Sequence, residues 1–317
     1  MKILITGSSG NIGYFLAKYF IRKRIRVTGL DVVENPRLKN GKYFKFIRAS
    51  VTDAPALAGI FNREKPTHVI HLAYLMKSIH DEKKEYDTDV LGSQNVISAA
   101  SAAKSVKQFI EFSSTSAYGG RPDNKIWIGE TQELRPGGYR YGINKKKVEE
   151  YINGFKARKS LKFVIVRMCT AIGPDEFKKN GLTELMIKSP LLAKFNGKYT
   201  DLQLLHEHDL TALIHKIVKD KNIHGTYNLA PDDYCSIRDL VPGQRFLNLP
   251  LGLVKFVTGI LWTLGLSGFM PAAIDLSAYG IIADPGKLQK RYKYSFKFTT
   301  LSGFRDSVLG MKKSGVL

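Results

Sequence analysis

The chain has 317 residues, of which 44% are hydrophobic and 24% charged, a profile that excludes a disordered or collagen-like protein. Its 49 basic residues outnumber 28 acidic ones for a net charge of +21, which favours anionic partners and says nothing about fold. Cys169 and Cys235 form no CxxC pair, so neither a disulfide framework nor a structural zinc site is expected, and a reducing, cytoplasmic location is the default.

Ile3–Thr6 reads as a buried strand, and its apolar run is too short for a secretion signal. Ile12–Arg22 reads as a helix with Ile12, Phe15, Leu16, Tyr19 and Phe20 on one face. Strands follow at Arg26–Asp31 and Tyr43–Arg48, a helix at Ala54–Asn62, and a strand at His68–Ala73. A long helix is predicted over Asp87–Ala103, then a strand at Gln108–Ser113, a helix at Tyr141–Phe155 and a strand at Phe163–Met168. Such alternation implies an α/β fold, a doubly wound parallel sheet of Rossmann type with helices on both faces. Beyond Arg167 the pattern loosens, with a late helix at Asp209–Val218 and a late strand at Thr226–Leu229. The predicted division is a nucleotide-binding domain over 1–168, rejoined by elements near 203–230. A smaller C-terminal substrate lobe is drawn mainly from 169–317.

Gly7-Ser8-Ser9-Gly10-Asn11-Ile12-Gly13 is a GxxGxxG run between a strand and a helix, the context that gives the motif meaning. Gly7 permits a tight turn, Gly10 lets backbone approach a pyrophosphate, and Gly13 allows close helix–strand packing. The opening of the helix at Asn11 and Ile12 supplies free N–H groups and a positive dipole end. Asp31 ends the second strand, near the spacing of a ribose-binding acid. It predicts NAD over NADP, because a 2′-phosphate would meet a carboxylate with Arg37 as the nearest following cation.

Tyr141 and Lys145 form YxxxK, four residues apart on one helix face. A nearby cation favours phenolate, so the pair can exchange a proton with a carbinol during hydride transfer. Hydroxyls in Ser113-Ser114-Thr115-Ser116 lie at the carboxyl end of the fifth strand, facing the expected ligand crevice.

On these motifs the chain resembles the NAD-dependent epimerase/dehydratase family, the extended branch of the short-chain dehydrogenases/reductases. His71-Leu72-Ala73 is similar to the family's HLA segment, and Arg167 through Gly173-Pro174 to its R…GP stretch. His206-Glu207-His208-Asp209-Leu210, Tyr227-Asn228-Leu229 and the Asp284…Lys287…Thr299-Thr300 tail fit as well. The resemblance implies NAD as cofactor and Ser114, Tyr141 and Lys145 as catalytic residues, with Thr115 the alternative to Ser114. It implies that Ser50, Val51, Leu72 and Ala73 line the cofactor beside Tyr141 and Lys145, and that Thr115 and Thr170 face the substrate. A homodimer is expected by the same analogy.

The departures from the family pattern are specific. Ser50 stands where members often have Asp against adenine, and Asp89 where many have Asn. Thr170 and Leu202 replace an Asn and an Arg that hold a nucleotide diphosphate in many nucleotide-sugar enzymes. Thr115-Ser116 follow Ser114 where 4,6-dehydratases place an Asp-Glu pair, so elimination of that type is not expected.

The remaining features read as structural. His206-Glu207-His208, taken as extended, puts two histidines on one face without a third ligand, so no metal is expected. Cys169 reads as a buried apolar residue. Lys145–Lys147 and Lys178-Lys179 read as solvated runs apart from Lys145. No nucleic-acid-binding motif is present. Leu251–Met270 approaches the length of about 20 residues that a membrane span needs, yet Leu253, Phe256, Val257, Ile260, Leu261 and Leu264 form one stripe, as in an amphipathic helix. A helix packed over the substrate pocket is the first expectation, and weak membrane-surface contact assisted by Lys287, Lys290, Arg291, Lys293 and Lys297 the second.

The sequence therefore predicts NAD-dependent hydride transfer at a secondary carbinol of a small molecule, with nucleotide-sugar epimerisation as the first reading. The alternatives are a dehydrogenase or reductase of an apolar, steroid-like or acyl-lipid alcohol, and a non-catalytic NAD-binding subunit.

Overall fold

The computed structural model describes residues 1–76, 78–175 and 182–317; the Lys178-Lys179 run lies outside them. The strands are β1 (Lys2–Thr6), β2 (Arg26–Asp31), β3 (Phe44–Arg48), β4 (His68–His71), β5 (Gln108–Ser114), β6 (Lys162–Met168), β7 (Thr170–Ile172), β8 (Leu191–Phe195), β9 (Asp201–Leu202), β10 (Leu204–His206), β11 (Gly225–Leu229), β12 (Cys235–Ser236) and β13 (Arg245–Leu249). The helices are α1 (Asn11–Arg22), α2 (Ala54–Glu64), α3 (Glu82–Tyr86), α4 (Gly92–Ala102), α5 (Arg140–Gly154), α6 (Leu182–Lys188), α7 (Glu207–Lys219), α8 (Ile237–Leu240), α9 (Leu251–Thr263), α10 (Ala273–Ala278), α11 (Gly286–Tyr292) and α12 (Thr300–Lys313).

Seven parallel strands form one sheet in the order β11-β6-β5-β4-β1-β2-β3. Successive side chains of a strand point to opposite faces, and β1 shows the consequence. Ile3 and Ile5 join a core with Phe15 and Phe20 of α1 and Leu213 and Ile217 of α7. Leu4, between them, joins the other core, with Leu57 and Phe61 of α2, Val96 of α4 and Val148 and Ile152 of α5. The chain reverses its direction of winding at β1, between β2 and β4. Ligand crevices of open parallel sheets lie at the carboxyl ends of the strands flanking such a switch.

A smaller core of Ile172, Met186, Leu204, Leu240, Val241 and Phe304 joins α6, α8 and α12 to the two-stranded β10–β7 pair. These short strands were not legible as alternating runs.

Three local expectations change. The helix predicted over Asp87–Ala103 is broken by a π-helical turn at Asp87–Leu91, which aims the buried Asp89 inward, and α4 begins at Gly92. A Cβ on Gly92 would sit 2.6 Å from Val51 Cγ2, so glycine lets the helix close on that segment. The strand at His68 ends at His71, after which Leu72 N donates to Thr6 O at 3.1 Å. His206-Glu207-His208 is not extended throughout: His206 caps α7, its Nδ1 accepting from His208 N at 3.2 Å, and its ring stacks on Phe298.

The largest correction concerns Leu251–Met270. Packing over the pocket would bury its apolar stripe, yet α9 buries only Leu251. Leu253, Phe256, Val257, Ile260, Leu261 and Leu264 face outward. Polar and aromatic anchors set this rotation. Lys255 Nζ is 2.8 Å from Asp275 Oδ2, and Trp262 stacks on His80 with centroids 3.9 Å apart. Among the described residues no helix is long and apolar enough to cross a membrane. Lys287 donates to Thr226 O and Arg291 to Asp220 at the β11 edge, so these two cations serve the sheet.

Candidate active site

The glycine loop connects β1 to α1 above the switch point. Gly7 has φ +70°, and a Cβ there would lie 2.7 Å from the Leu72 carbonyl carbon. Only glycine tolerates both the left-handed backbone and that approach. A Cβ on Gly13 would overlap the Gly7 carbonyl oxygen, so α1 can start hard against the loop. Gly10 differs, since a Cβ there would meet nothing nearer than Gly7 O at 3.5 Å. The space beside it is open. Gly10 caps α1 without a side-chain bond, and the first turn has no acidic residue, leaving the Asn11 and Ile12 end of the helix ready for an anion. Ser8 Oγ and Asn11 Oδ1 are buried without a hydrogen-bond partner among the described residues.

Asp31 closes the loop from β2. Its Oδ2 accepts from Ser9 N at 3.0 Å and its Oδ1 from Val32 N at 2.8 Å. Arg37 turns to Asp175, 3.1 Å away, and lies over the Tyr14 ring. A second cation borders Asp31: Arg48 is its register partner across β2 and β3, and the Arg48 guanidinium donates to Val32 O at 3.1 Å. Beyond β3, Ser50 Oγ accepts from Thr52 N at 3.2 Å, and buried Val51 gives its carbonyl to Asn95 Nδ2 at 3.1 Å. Leu72 and Ala73 lead away from β4 against Gly7. An open helix end, a glycine cradle and an acid at the tip of β2 fit a dinucleotide, with its diphosphate at Gly10 and a ribose at Asp31.

The proposed chemical groups gather where β5 ends. Ser114 Oγ accepts from Ser116 N at 3.1 Å and from Ser116 Oγ at 2.9 Å, winding Thr115–Tyr118 into a tight turn. Gly142 lets α5 close on that turn, since a Cβ would lie 2.8 Å from Ser116 O. This docking brings the Tyr141 phenol to the neighbourhood of the Ser114 hydroxyl. Burial holds the Tyr141 phenol well above its ordinary range, Tyr139, Asp89 and Glu111 add to the effect, and the neighbouring Ser114 hydroxyl opposes it. Thr115 is buried in the turn, whereas Thr170 is exposed at the start of β7.

Lys145 lies one turn along α5 and is only 2% exposed. Its ammonium does not face the Tyr141 phenol directly. It donates to Phe112 O, lies 3.4 Å from Glu111 Oε1, and sits 2.9 Å from the centre of the Tyr74 ring. The Tyr141 ring centre is 5.7 Å away. Burial lowers Lys145 to about 8, against the pull of Glu111. Burial likewise raises Glu111 to about 6, with Lys145 opposing.

Glu111 opens a buried hydrogen-bonded row. Tyr74 Oη donates to Glu111 Oε1 at 3.0 Å, and Ser93 Oγ lies 3.0 Å from Tyr74 Oη. His71 joins Ser93 Oγ at 2.9 Å to Thr6 Oγ1 at 2.6 Å, ending beside Gly7. Burial pushes His71 down to about 3, so its ring is neutral. Nearby, Asp89 accepts from Leu75 N at 2.8 Å and Asn144 Nδ2 at 3.2 Å, and burial raises it to about 6. Sequence reasoning missed Glu111, Tyr74 and Ser93 as site residues. The available signal was a charge inside the apolar run Phe109-Ile110-Glu111-Phe112.

The sequence model of the NAD dependent epimerase/dehydratase family matches residues 3–230. This chain belongs to that family. As an epimerase/dehydratase-family member it is an NAD-dependent enzyme of the extended short-chain dehydrogenase/reductase type. Protein y4nG of Sinorhizobium fredii is 25% identical to it over 93% of this chain and 75% of its own length. A UDP-glucose 4-epimerase of Rhizobium meliloti is 29% identical over 55% of this chain and 53% of its own. The Bordetella bronchiseptica enzyme WbmG, solved with NAD and UDP, has the same fold. It superposes with a TM-score of 0.77 at 23% identity, covering 99% of this chain and 94% of its own.

Proposed function

We propose that this enzyme inverts a secondary carbinol of a nucleotide sugar through a transient ketone. The Gly7–Gly13 loop and Asp31 would hold NAD, which would supply a reversible acceptor for the carbinol hydride. Burial disfavours the Tyr141 phenolate, so its ionisation requires the positive charges of the nicotinamide and of Lys145; the phenolate then accepts the carbinol proton while the C–H bond is lost, leaving a C=O group. On return of the hydride to the other face, Tyr141 gives that proton to the forming alkoxide. Ser114 hydrogen-bonds the Tyr141 oxygen and the substrate oxygen, and Lys145 supplies positive charge one helical turn away. The observation that carries this reading is the docking of α5 on the turn after β5, which gathers Ser114, Tyr141 and the buried Lys145 at the carboxyl end of that strand. Thr115 and Ser116 offer no carboxylic acid for a sugar 4,6-elimination.

Incubation with UDP-glucose or UDP-galactose, followed by chromatography of the UDP-sugars, tests the proposal. Interconversion without net accumulation of reduced nicotinamide is expected. Net cofactor reduction by an apolar secondary alcohol, with no change in any UDP-sugar, would replace it by the second reading, a lipid-alcohol dehydrogenase. That reading draws on one observation: the outward apolar stripe of α9 belongs to a helix seated on Arg140, the residue before Tyr141.

A further inference from the structure

Helix α9 is amphipathic in the reverse sense. Its inward positions carry Lys255, Thr258, Gly259 and Trp262 beside Leu251 and Val254, while Phe256 is 66% and Leu264 64% exposed. The chain beyond it continues the pattern, with Leu266 72% exposed and Phe269 also outward. A soluble helix ordinarily buries such a stripe. From Leu240 to Ile274 the sequence has no acidic residue, and its only charges are Arg245 and Lys255.

We infer that α9 and the Leu264–Phe269 turn dock on the surface of an anionic lipid bilayer. The helix is too short to span, and an outward apolar stripe is the face by which an interfacial helix inserts among lipid headgroups. Charge selects this occupant over a second copy of the chain. The net charge of +21 is complementary to an anionic surface and not to another copy of this acid-free face, while leaving a dimer through a different face open. Docking also orients the enzyme. Trp262 stacks on His80 and lies 5.5 Å from the Arg140 guanidinium, and Ser78 donates to Met270 Sδ at 3.1 Å. Ser78, His80 and the start of α5 are thereby held at the membrane, so the Tyr141 end of that helix lies toward the lipid headgroups. The inference is independent of which carbinol is oxidised.

The test is co-sedimentation of the full-length protein with vesicles of phosphatidylcholine alone and with added phosphatidylglycerol. The wild type should bind the anionic vesicles, with binding that weakens as salt is raised. Phe256→Ser with Leu264→Ser should lower partitioning about tenfold or more while leaving the melting temperature unchanged. Leu266→Asp provides a second variant outside the helix, with the same expected loss. Failure of the wild type to sediment with anionic vesicles, or undiminished binding by both variants, overturns the inference. So does a wild-type dimer that these substitutions convert to monomers, since the face would then belong to a second copy.

Discussion

Glu111 Oε1 lies 3.4 Å from Lys145 Nζ, with both side chains almost wholly buried. The carboxylate comes from the middle of β5 and the ammonium from α5, so the pair ties the proposed cation to the sheet beneath it. Glu111 thereby competes with Tyr141 for the charge of Lys145. Its own charge also raises the Tyr141 phenol, while the neighbouring Ser114 hydroxyl lowers it.

Replacing Tyr141 by Phe removes the proton-transfer oxygen and keeps the ring. Turnover should fall by about a hundredfold or more, with NAD affinity changed little. Lys145→Ala should impair both turnover and NAD binding. Parallel kinetics and cofactor titrations decide, and substantial activity in Tyr141→Phe would refute the assignment.

Glu111→Gln removes a buried carboxylate whose folded-state pKa is raised from 4.5 to about 6. A raised pKa contributes stability that is fully present below pH 4.5 and is lost as pH rises through about 6. The stability difference between wild type and variant should therefore move in favour of the wild type on acidification across that window, by up to about 1.4 kcal/mol per pH unit. Loss of the negative charge should also shift the Tyr141-dependent limb of the pH–rate profile to lower pH. Denaturant melts and kinetics across pH supply the two readouts; unchanged profiles in both would remove Glu111 from the account.

Gly7 and Gly10 should respond differently to the same methyl group. Gly7→Ala combines a left-handed backbone with a 2.7 Å approach to Leu72 and should destabilise the fold by about 2 kcal/mol or more. Gly10→Ala meets no close atom, so its melting temperature should hold while NAD affinity falls. Equal thermal losses in the two variants would show that Gly10 serves packing.

Asp31→Ala should weaken NAD and narrow its advantage over NADP. Arg48, paired with Asp31 across the strands, gives the 2′-phosphate a nearby cation once the carboxylate is gone. Asp31→Ala/Arg48→Ala should therefore lose the gain in NADP affinity. Titration of both cofactors against wild type and the two variants measures this, and tighter NADP binding by the wild type would reject the role given to Asp31.

Features that depend on neighbouring residues were legible without coordinates. The alternation of strands and helices, the glycine loop and the four-residue spacing of Tyr141 and Lys145 are local patterns, because backbone geometry converts spacing directly into faces and turns. Tertiary packing decided the relationships between distant segments. Arg48 stands beside Asp31 because β3 pairs with β2, and Glu111 meets Lys145 because Gly142 lets α5 close on the turn after β5. The periodicity of α9 marked an apolar stripe but not which way it faced; Asp275, His80 and Arg140 set that by holding Lys255 and Trp262. Side-chain pairing across long sequence separations depends on register and helix docking, which no local period encodes.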